Sequence, residues 1–321
     1  MWKSKFSIKF LAVTLLLTIS YSPFATATVS QDDDLYVQLE QNIVPESWNG
    51  EVHVDRYFVD EGYDLGLQLL NDKFEKIYPA ERNYDTSKIY LQFMNITGIT
   101  YDIALTIYID GLPSEFQVGD KRMSVLDFSL PGQSYSIYDV GDFWPDDEIE
   151  HSVYFHVIYS DRSMRFYDGI VMPDCMSYGL TSVDDLYATE NIEVSNEDVY
   201  STSSFEESVS FGGGTQVFLA NPEMKVGGYH IGAAEEINGK AHLRVIGTGQ
   251  PGIYGISIFR DDVLIESYRY ILNVDELFLK VVTVECFAGD NIYAVIVPLD
   301  LNTKMASIST VVHINKGDAI Q

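Results

Sequence analysis

The stretch "NITGITYDIALTIYIDGLPSEF", from Asn95 to Phe116, decides the fold class of this sequence. Aliphatic residues occupy every second position from Ile103 to Ile109, and this period of two is typical of an antiparallel β-strand with one buried face. Asp110-Gly111 follows at once, and an Asp-Gly pair favours the two-residue turn of a β-hairpin. The stretch therefore predicts a strand, a tight turn and a second strand. It also puts Asp110 on the outer, solvent-facing phase, where we interpret it as a turn residue rather than a catalytic acid.

Similar alternating segments recur along most of the chain. Ile89–Asn95 and Ser152–Ser160 repeat the pattern in the first half, and Ala241–Val274, Leu277–Asp300 and Ser307–Asn315 repeat it in the second. Glycine, proline, asparagine and aspartate separate these segments, as turns require. We expect an all-β fold of two immunoglobulin-like antiparallel β-sandwiches, the first carrying a short helix and an N-terminal arm.

The predicted helix of the first sandwich spans Asp64–Tyr78. Apolar residues recur there at spacings of three and four, which is the period of a helix, and Pro79 ends the pattern. A rival interpretation stays open, because the leucines from Leu65 to Leu69 also alternate with the period of a strand and Gly66 disfavours a helix.

The N-terminus has the three parts of a secretory leader. Three lysines precede the apolar run Phe10–Ile19, and Ala25–Ala27 supplies the small residues that a signal peptidase recognises. We therefore expect cleavage after Ala27, release outside the cell, and no membrane span afterwards. The full chain has a net charge of -28, and loss of three lysines and no acid makes it -31, since -28 minus 3 is -31. This acidity disfavours nucleic acid and anionic membrane surfaces as partners.

A polar, acidic stretch separates the two predicted sandwiches. No lysine or arginine occurs between Arg165 and Lys225, and three consecutive glycines, Gly212–Gly214, lie in that interval. Low hydrophobicity with charge of one sign is typical of a linker. The predicted parts are a signal peptide, a first β-sandwich domain, an acidic Ser/Thr-rich linker and a second β-sandwich, at residues 1–27, 28–178, 179–214 and 215–321.

Few residues have the spacing that catalysis or metal binding needs. The six histidines form no H-x-x-x-H or H-E-x-x-H pattern, and the chain has no G-x-S-x-G motif and no phosphate-binding loop. His151 and His156 are five residues apart on one predicted strand, so their side chains would face opposite sides. Acidic loops such as "PDDE" (145–148) and "RDD" (260–262) leave weak Ca²⁺ binding open, although they lack the spacing of an EF-hand loop. We expect no enzyme activity, no cofactor and no dedicated metal site.

The two cysteines, Cys175 and Cys286, are too few to form a disulfide scaffold. One bridge between the two halves and two separate thiols are both open interpretations. Acidic neighbours flank each cysteine, which disfavours a reactive thiolate.

Aromatic residues are the best candidates for a binding surface. The chain contains 22 tyrosines and 17 phenylalanines, and exposed tyrosine or tryptophan binds sugar faces and protein partners well. Tyr108 and Tyr154 lie on the predicted outer phases of their strands, where they are exposed unless a second layer covers that face. Trp144, in the acidic loop "DVGDFWPDDE", is the strongest single candidate, and Trp48 completes the set.

Four segments between residues 89 and 161 share an ordered pattern with a known family. They are "LQFMNITG", "IALTIYIDGLPSEF", "FSLPGQSYSI" and "HSVYFHVIYSD". In this order they resemble the CARDB-type domain, an immunoglobulin-like, adhesion-related module of secreted bacterial and archaeal proteins. The segments "QVGDKRMSVLDF" and "DVGDFWPDDEIE" depart from the family pattern as insertions. The resemblance implies a binding or spacing module and brings no catalytic residues with it.

These features favour a secreted, non-catalytic binding or spacer protein that acts in protein–protein adhesion at the cell exterior. Its partner would be an extracellular protein or polysaccharide. One alternative is a carbohydrate-binding module that uses exposed tyrosine and tryptophan. A second is an extracellular hydrolase with a carboxylate site between the two domains, which predicts carboxylates of raised pKa at that boundary.

Overall fold

The computed structural model describes residues 28–29, 34–36, 39–46, 48, 52, 54–55, 65–77, 89–147, 149–161, 166–167, 170–171, 174–205, 214–223, 231–301 and 304–317. The predicted signal peptide at 1–27 lies outside these described residues. The chain divides into two compact units, one of residues 1–38 and 51–62 and the other of residues 39–50 and 63–321. In the smaller unit, three short strands pair into an antiparallel sheet. The two sandwiches described below belong to the larger unit.

The strands before the first sandwich are β1 (Thr28–Val29), β2 (Asp34–Tyr36), β3 (Glu40–Ile43) and β4 (Val54–Asp55). The strands that follow are β5 (Leu65–Leu70), β6 (Ile89–Asn95), β7 (Tyr101–Ile109), β8 (Leu112–Ser114), β9 (Phe116–Val118), β10 (Lys121–Met123), β11 (Leu126–Leu130), β12 (Ser134–Gly141), β13 (Val153–Asp161), β14 (Phe166–Tyr167), β15 (Ile170–Val171) and β16 (Asp174–Thr181). The remaining elements are α1 (Asp185–Asn191), β17 (Val199–Ser201), a 3₁₀ turn (Thr202–Ser204), β18 (Gln216–Ala220), β19 (Ala233–Glu236), β20 (Lys240–Thr248), β21 (Gly252–Arg260), β22 (Val263–Leu272), β23 (Glu276–Glu285), β24 (Asn291–Pro298), β25 (Ser307–Ile308) and β26 (Val312–Lys316).

The first sandwich consists of two sheets with one core between them. Sheet I has the order β10-β9-β12-β6-β5, with β3 parallel to β12, and sheet II has the order β11-β7-β13-β16, with β8 beside β7. The buried side chains of β5, β6 and β12 meet those of β7 and β13 in a continuous apolar core. The alternating residues Ile103–Ile109 and Val153–Val157 point into this core, as the sequence predicts.

The second sandwich also has two sheets. Sheet III has the order β17-β23-β20-β18, and sheet IV has the order β19-β26-β24-β21-β22, with β25 beside β24. Strand β19 runs parallel to β26, whereas the neighbouring pairs β21–β22 and β21–β24 are antiparallel. Its core lies between the sheets and includes Val245, Ile256, Phe278 and Ile296. The predicted fold class, two immunoglobulin-like antiparallel sandwiches with a short helix, is confirmed.

The helix does not lie where the sequence predicts it. Of the segment Asp64–Tyr78, residues 65–70 form strand β5, which pairs antiparallel with β6, and a turn follows. Leu65, Leu67 and Leu69 face the core of the first sandwich. The strand period wins because β6 offers a pairing edge that supplies backbone hydrogen bonds and buries these leucines together. The described helix of more than one turn is α1, at Asp185–Asn191.

Ordered elements lie within the predicted linker, residues 179–214. Strand β16 continues to Thr181, α1 follows, and β17 adds an edge strand to sheet III by pairing with β23. Asp184 caps the start of α1, since its carboxylate accepts a hydrogen bond from the backbone N–H of Tyr187 at 2.8 Å. The buried side chains of Val183, Ala188 and Ile192 then pack this segment against the second sandwich. The domain boundaries themselves stay a prediction.

Sheets II and IV pack face to face. Tyr108 and Tyr154 of the first sandwich form one apolar cluster with Phe259, Tyr293 and Val295 of the second. The order of layers is therefore sheet I, sheet II, sheet IV and sheet III. Within the larger unit, the contact between the sandwiches is built like a protein core, which makes the pair of modules a single body.

Candidate functional site

The hairpin turn at Asp110-Gly111 lies at the junction of the two sandwiches. Ile109 pairs with Leu112, so the turn has two residues, and both have positive φ, 50° at Asp110 and 78° at Gly111. Such angles belong to a type I′ turn, for which Asp-Gly is a favoured sequence. The predicted turn is confirmed. The expectation that Asp110 faces solvent is wrong, because the residue is only 4% exposed.

The buried Asp110 carboxylate binds a histidine. Its Oδ2 lies 2.6 Å from His151 Nδ1, and its Oδ1 accepts a hydrogen bond from the backbone N–H of Ser152 at 2.9 Å. On the other side of the ring, His151 Nε2 lies 2.8 Å from Asp147 Oδ1. A carboxylate only accepts hydrogen bonds, so two carboxylates can both be satisfied only if both ring nitrogens carry a proton. The geometry is that of an imidazolium between two acids.

The pKa of His151 reflects this arrangement. Burial by itself lowers the pKa of the ring, but hydrogen bonds and charge from Asp110 and Asp147 outweigh it and raise the pKa above the ordinary 6.5. The hydrogen bond from His151 correspondingly lowers the pKa of Asp147. With both nitrogens engaged by acids, the ring has no free nitrogen for proton transfer to a substrate.

The Trp144 loop, residues 142–150, carries Asp147 and leads into His151. Phe143 anchors the loop because its ring is buried and packs edge-on against Phe155 in the core, with ring centroids 5.9 Å apart. Trp144 then points outward and is 38% exposed, and Ile149 is 37% exposed. The predicted exposure of Trp144 is confirmed. Trp144 and Ile149 therefore project into solvent among acidic side chains, and the loop that carries them is anchored by the buried residues Phe143 and His151.

The other predicted binding aromatics are not open to solvent. Tyr108 is 1% exposed and Tyr154 is 6% exposed, because sheet IV covers the outer face of sheet II. Burial raises the pKa of Tyr154 to about 12 and that of Tyr108 well above its usual range. Trp48 is half-buried against the outer face of sheet I, where its Nε1–H donates to the Tyr135 hydroxyl at 3.1 Å. The four residues do not converge on one site.

The module junction beside Asp110 has almost no free space. A Cβ on Gly111 would lie 2.8 Å from the backbone nitrogen of Gly255, and a Cβ on Gly255 would overlap the Gly111 carbonyl. Arg269 of β22 donates through Nε to the Asp110 carbonyl at 2.7 Å. The same hairpin thus contacts His151 through the Asp110 side chain and contacts the second sandwich through its backbone.

Two carboxylates, Asp127 of the first sandwich and Asp262 of the second, interact electrostatically. Burial first, and repulsion from Asp262 and Asp102 next, raise the pKa of Asp127 on β11. Asp262 lies in the β21–β22 turn and accepts a hydrogen bond from the Tyr293 hydroxyl at 2.7 Å. Among the described residues, Asp127 and Asp262 correspond to the carboxylates that the hydrolase alternative predicts between the two domains.

Other sequence candidates can be placed as well. No disulfide joins Cys175 and Cys286, of which the first is exposed and the second buried. Within the described ranges, no three acidic, histidine or cysteine side chains are grouped as metal ligands. In the same ranges, none of the helices has the length and apolarity that a bilayer crossing requires.

Sequence reasoning did not bring Asp110, Asp147 and His151 together. The spacing of Asp147 and His151 is local, but Asp110 reaches them only through the register of β7 against β13, in which Ile109 pairs with Val153. The sequence signal for this contact is an aspartate that directly follows one strand, β7, and a histidine that shortly precedes another, β13. The signal becomes useful only when these two strands are known to pair.

The chain matches no family model and no curated protein. Solved structures with some similarity include red sea bream transglutaminase, at 9% identity and a TM-score of 0.21, over 81% of this chain and 33% of that one. The BSP domain of a biofilm-associated protein is 6% identical over 74% of this chain and 28% of that one, with a TM-score of 0.20. The CsuC–CsuE chaperone–tip adhesion subunit complex of Acinetobacter baumannii Csu pili is 9% identical over 73% of this chain and 94% of that one, with a TM-score of 0.21. The chain thus spans about a third of the length of the transglutaminase. Similarities at this level assign no activity to the chain.

Proposed function

We propose that the protein is an extracellular, non-catalytic binding and spacer protein that acts in protein–protein adhesion through its Trp144 loop. The observation that carries this proposal is the exposure of Trp144 and Ile149 on an otherwise anchored loop. Tryptophan is enriched among residues that dominate protein interfaces, and here it projects from a rigid base.

The chemistry around the loop favours a basic partner. Asp142, Asp146, Asp147 and Glu150 are exposed around the two apolar side chains. The chain as a whole has a net charge of -28, so an approaching cationic surface is attracted and an anionic one is repelled. A partner segment with lysine or arginine beside aliphatic residues fits both features.

The test compares peptide and glycan binding by the mature chain on parallel arrays. We expect peptides with lysine or arginine beside aliphatic residues to bind, and Trp144→Ala to weaken binding at least about tenfold. Tyr200→Ala is the matched control, because Tyr200 is an exposed aromatic residue, 42% exposed, outside the loop. Binding of glycans alone, with loss in Trp144→Ala, would favour the carbohydrate alternative. Peptide binding that is equal in Trp144→Ala and wild type would contradict the proposal.

A hydrolase is the second candidate, and the raised pKa of Asp127 beside Asp262 supports it. A carboxyl group whose pKa is raised can serve as a general acid in glycoside hydrolysis when a second carboxylate faces it. We expect Asp127→Asn to abolish any turnover of chromogenic glycosides by the mature chain. Turnover unchanged in this variant would remove the pair from consideration.

A further inference from the structure

His151 lies between a buried aspartate at the module junction and an exposed aspartate of the Trp144 loop. Asp110 is buried, its backbone N–H donates to the Ser152 carbonyl at 2.8 Å, and its own carbonyl accepts from Arg269. The Asp147 side chain, in contrast, is 46% exposed and belongs to the Trp144 loop. The ring therefore connects the module junction to the loop that we propose as the binding surface.

We propose that His151 is a pH-sensitive latch for the Trp144 loop, in which the protonated ring ties Asp147 to Asp110 and deprotonation of the ring releases Asp147. This inference deepens the proposed function, on which it rests for the loop's partner. The latch would make the position of the Trp144 loop depend on pH, through the contacts of the His151 ring with Asp110 and Asp147.

Proton counting gives the mechanism of release. A charged ring has two N–H groups and donates one to each carboxylate. A neutral ring keeps one proton, and it stays on Nδ1, because the buried Asp110 carboxylate would otherwise lose this hydrogen bond. The Nε2 lone pair then faces Asp147 Oδ1 across 2.8 Å, which is repulsive, and the exposed carboxylate of Asp147 can turn to water instead.

The charged groups around the ring set the pH window. Asp110 faces it from the β7–β8 hairpin and Asp147 from its own loop, while Thr181 of β16 contributes only a neutral hydroxyl, which donates to the His151 carbonyl. Arg269 of β22 binds the Asp110 carbonyl, and Glu193 lies near that guanidinium. The latch is closed between the lowered pKa of Asp147, below 3.8, and the raised pKa of His151, above 6.5.

Release is local because the ends of the loop have other anchors. Phe143 is buried at one end, and at the other the Glu150 N–H donates to the Tyr187 hydroxyl of α1 at 2.7 Å. Between them, the Ile149 N–H donates to Asp147 Oδ1 at 3.1 Å, so its exchange with solvent reports directly on the latch.

Amide hydrogen exchange of the full mature chain tests the latch without any partner. Between pH 5.5 and pH 8.5, we expect exchange at Ile149 to rise roughly tenfold beyond the intrinsic pH effect, since a charge-assisted hydrogen bond is worth about that factor. The midpoint should coincide with the titration of the His151 ring, followed by its nitrogen chemical shifts. His242→Gln, which removes an exposed histidine of β20, should leave this profile unchanged.

His151→Gln is the decisive variant. A glutamine amide does not titrate, so exchange at Ile149 should show no rise beyond the intrinsic pH effect between pH 5.5 and pH 8.5. The same rise in His151→Gln as in wild type, or a flat profile in wild type while His151 titrates, would overturn the latch. Peptide binding is measured separately at both pH values, so failure of adhesion and failure of the latch give different results.

Discussion

Asp110 combines two roles that are usually assigned to different residues. As the first residue of a type I′ turn it fixes the hairpin, and as a buried carboxylate it binds His151. The turn role is local and follows from the Asp-Gly pair. The second role depends on a residue 41 positions further along the chain, so local sequence patterns do not reveal it.

The first prediction concerns Asp110→Asn. The variant keeps a turn-forming residue but loses the charged contact to His151, and we expect it to lower the free energy of unfolding by about 1–3 kcal/mol at pH 6. A histidine with a raised pKa in the folded state stabilises the protein fully below its unfolded pKa, and the contribution is lost as the pH rises through the folded value. The deficit should therefore shrink by pH 9. Urea unfolding at both pH values is the measurement, and a deficit that grows at pH 9 would contradict the assignment.

The second prediction concerns Asn95, which closes the turns at the opposite end of the first sandwich. Its Nδ2 donates to the carbonyls of Ile99, Leu130 and Pro131, at 2.7, 3.2 and 2.9 Å. Asn95→Asp replaces this donor with a charged acceptor facing three carbonyls, and we expect a loss of about 3–5 kcal/mol in unfolding free energy.

Thr97→Ala is the matched control for Asn95. It removes the hydroxyl that donates to Asn95 Oδ1 at 2.8 Å and accepts from the Ile99 N–H at 3.3 Å, and it leaves the amide donors of Asn95 in place. Its cost should be about 1 kcal/mol. Equal thermal denaturation midpoints for the two variants would show that the amide of Asn95 does not hold these turns together.

At the scale of elements, the Leu65–Leu70 segment illustrates where sequence periodicity is ambiguous. Spacings of three and four and spacings of two are both present in so short a run, and only a neighbouring strand decides between them. Strand β6 is fully buried and pairs with β5 along six residues of that strand. The strands of 89–161 were predictable because their alternation is longer and Asp-Gly or Pro-Gly turns bound it.

The third prediction concerns the ion pair that fixes α1 to the second sandwich. The Asp185 carboxylate lies 2.5 Å from Lys304 Nζ, and the lysine side chain is only 5% exposed. Asp185→Ala leaves a buried ammonium group without its partner, and we expect a loss of about 3 kcal/mol in unfolding free energy.

Lys304→Met separates the cost of the lone charge from the value of the pair. Because methionine fills similar space without a charge, the double variant Asp185→Ala/Lys304→Met should recover most of the stability lost in Asp185→Ala. Denaturant unfolding of the three variants forms the cycle. A double variant less stable than Asp185→Ala would show that the buried charge is not what makes the loss large.

At the scale of the whole molecule, the packing of the two sandwiches is what sequence patterns leave out. Tyr108 and Tyr154 occupy outer strand phases that resemble a solvent face, and they become buried only because Phe259 and Tyr293 cover them. Tyrosine suits either environment, so its presence does not distinguish a surface from an interface. The core within each sandwich can be predicted from the alternation of apolar and polar residues along its strands. The contact between the sandwiches depends instead on the complementary shapes of two sheet faces.

The fourth prediction addresses this contact through Gly255. Any side chain there collides with the Gly111 backbone, so Gly255→Val should push the sandwiches apart and uncouple their unfolding. Gly141→Ala is the control, since a Cβ at Gly141 meets nothing within 4 Å. The variant should also show a larger radius of gyration in solution scattering, and an unchanged radius with unchanged stability would argue against the tight junction.

Scanning calorimetry of residues 28–321 tests most directly whether the two sandwiches form one rigid body. We predict one cooperative transition for wild type and for Gly141→Ala, with equal calorimetric and van't Hoff enthalpies, and two separate transitions for Gly255→Val. Two independent transitions in the wild-type protein, unchanged by Gly255→Val, would contradict the claim.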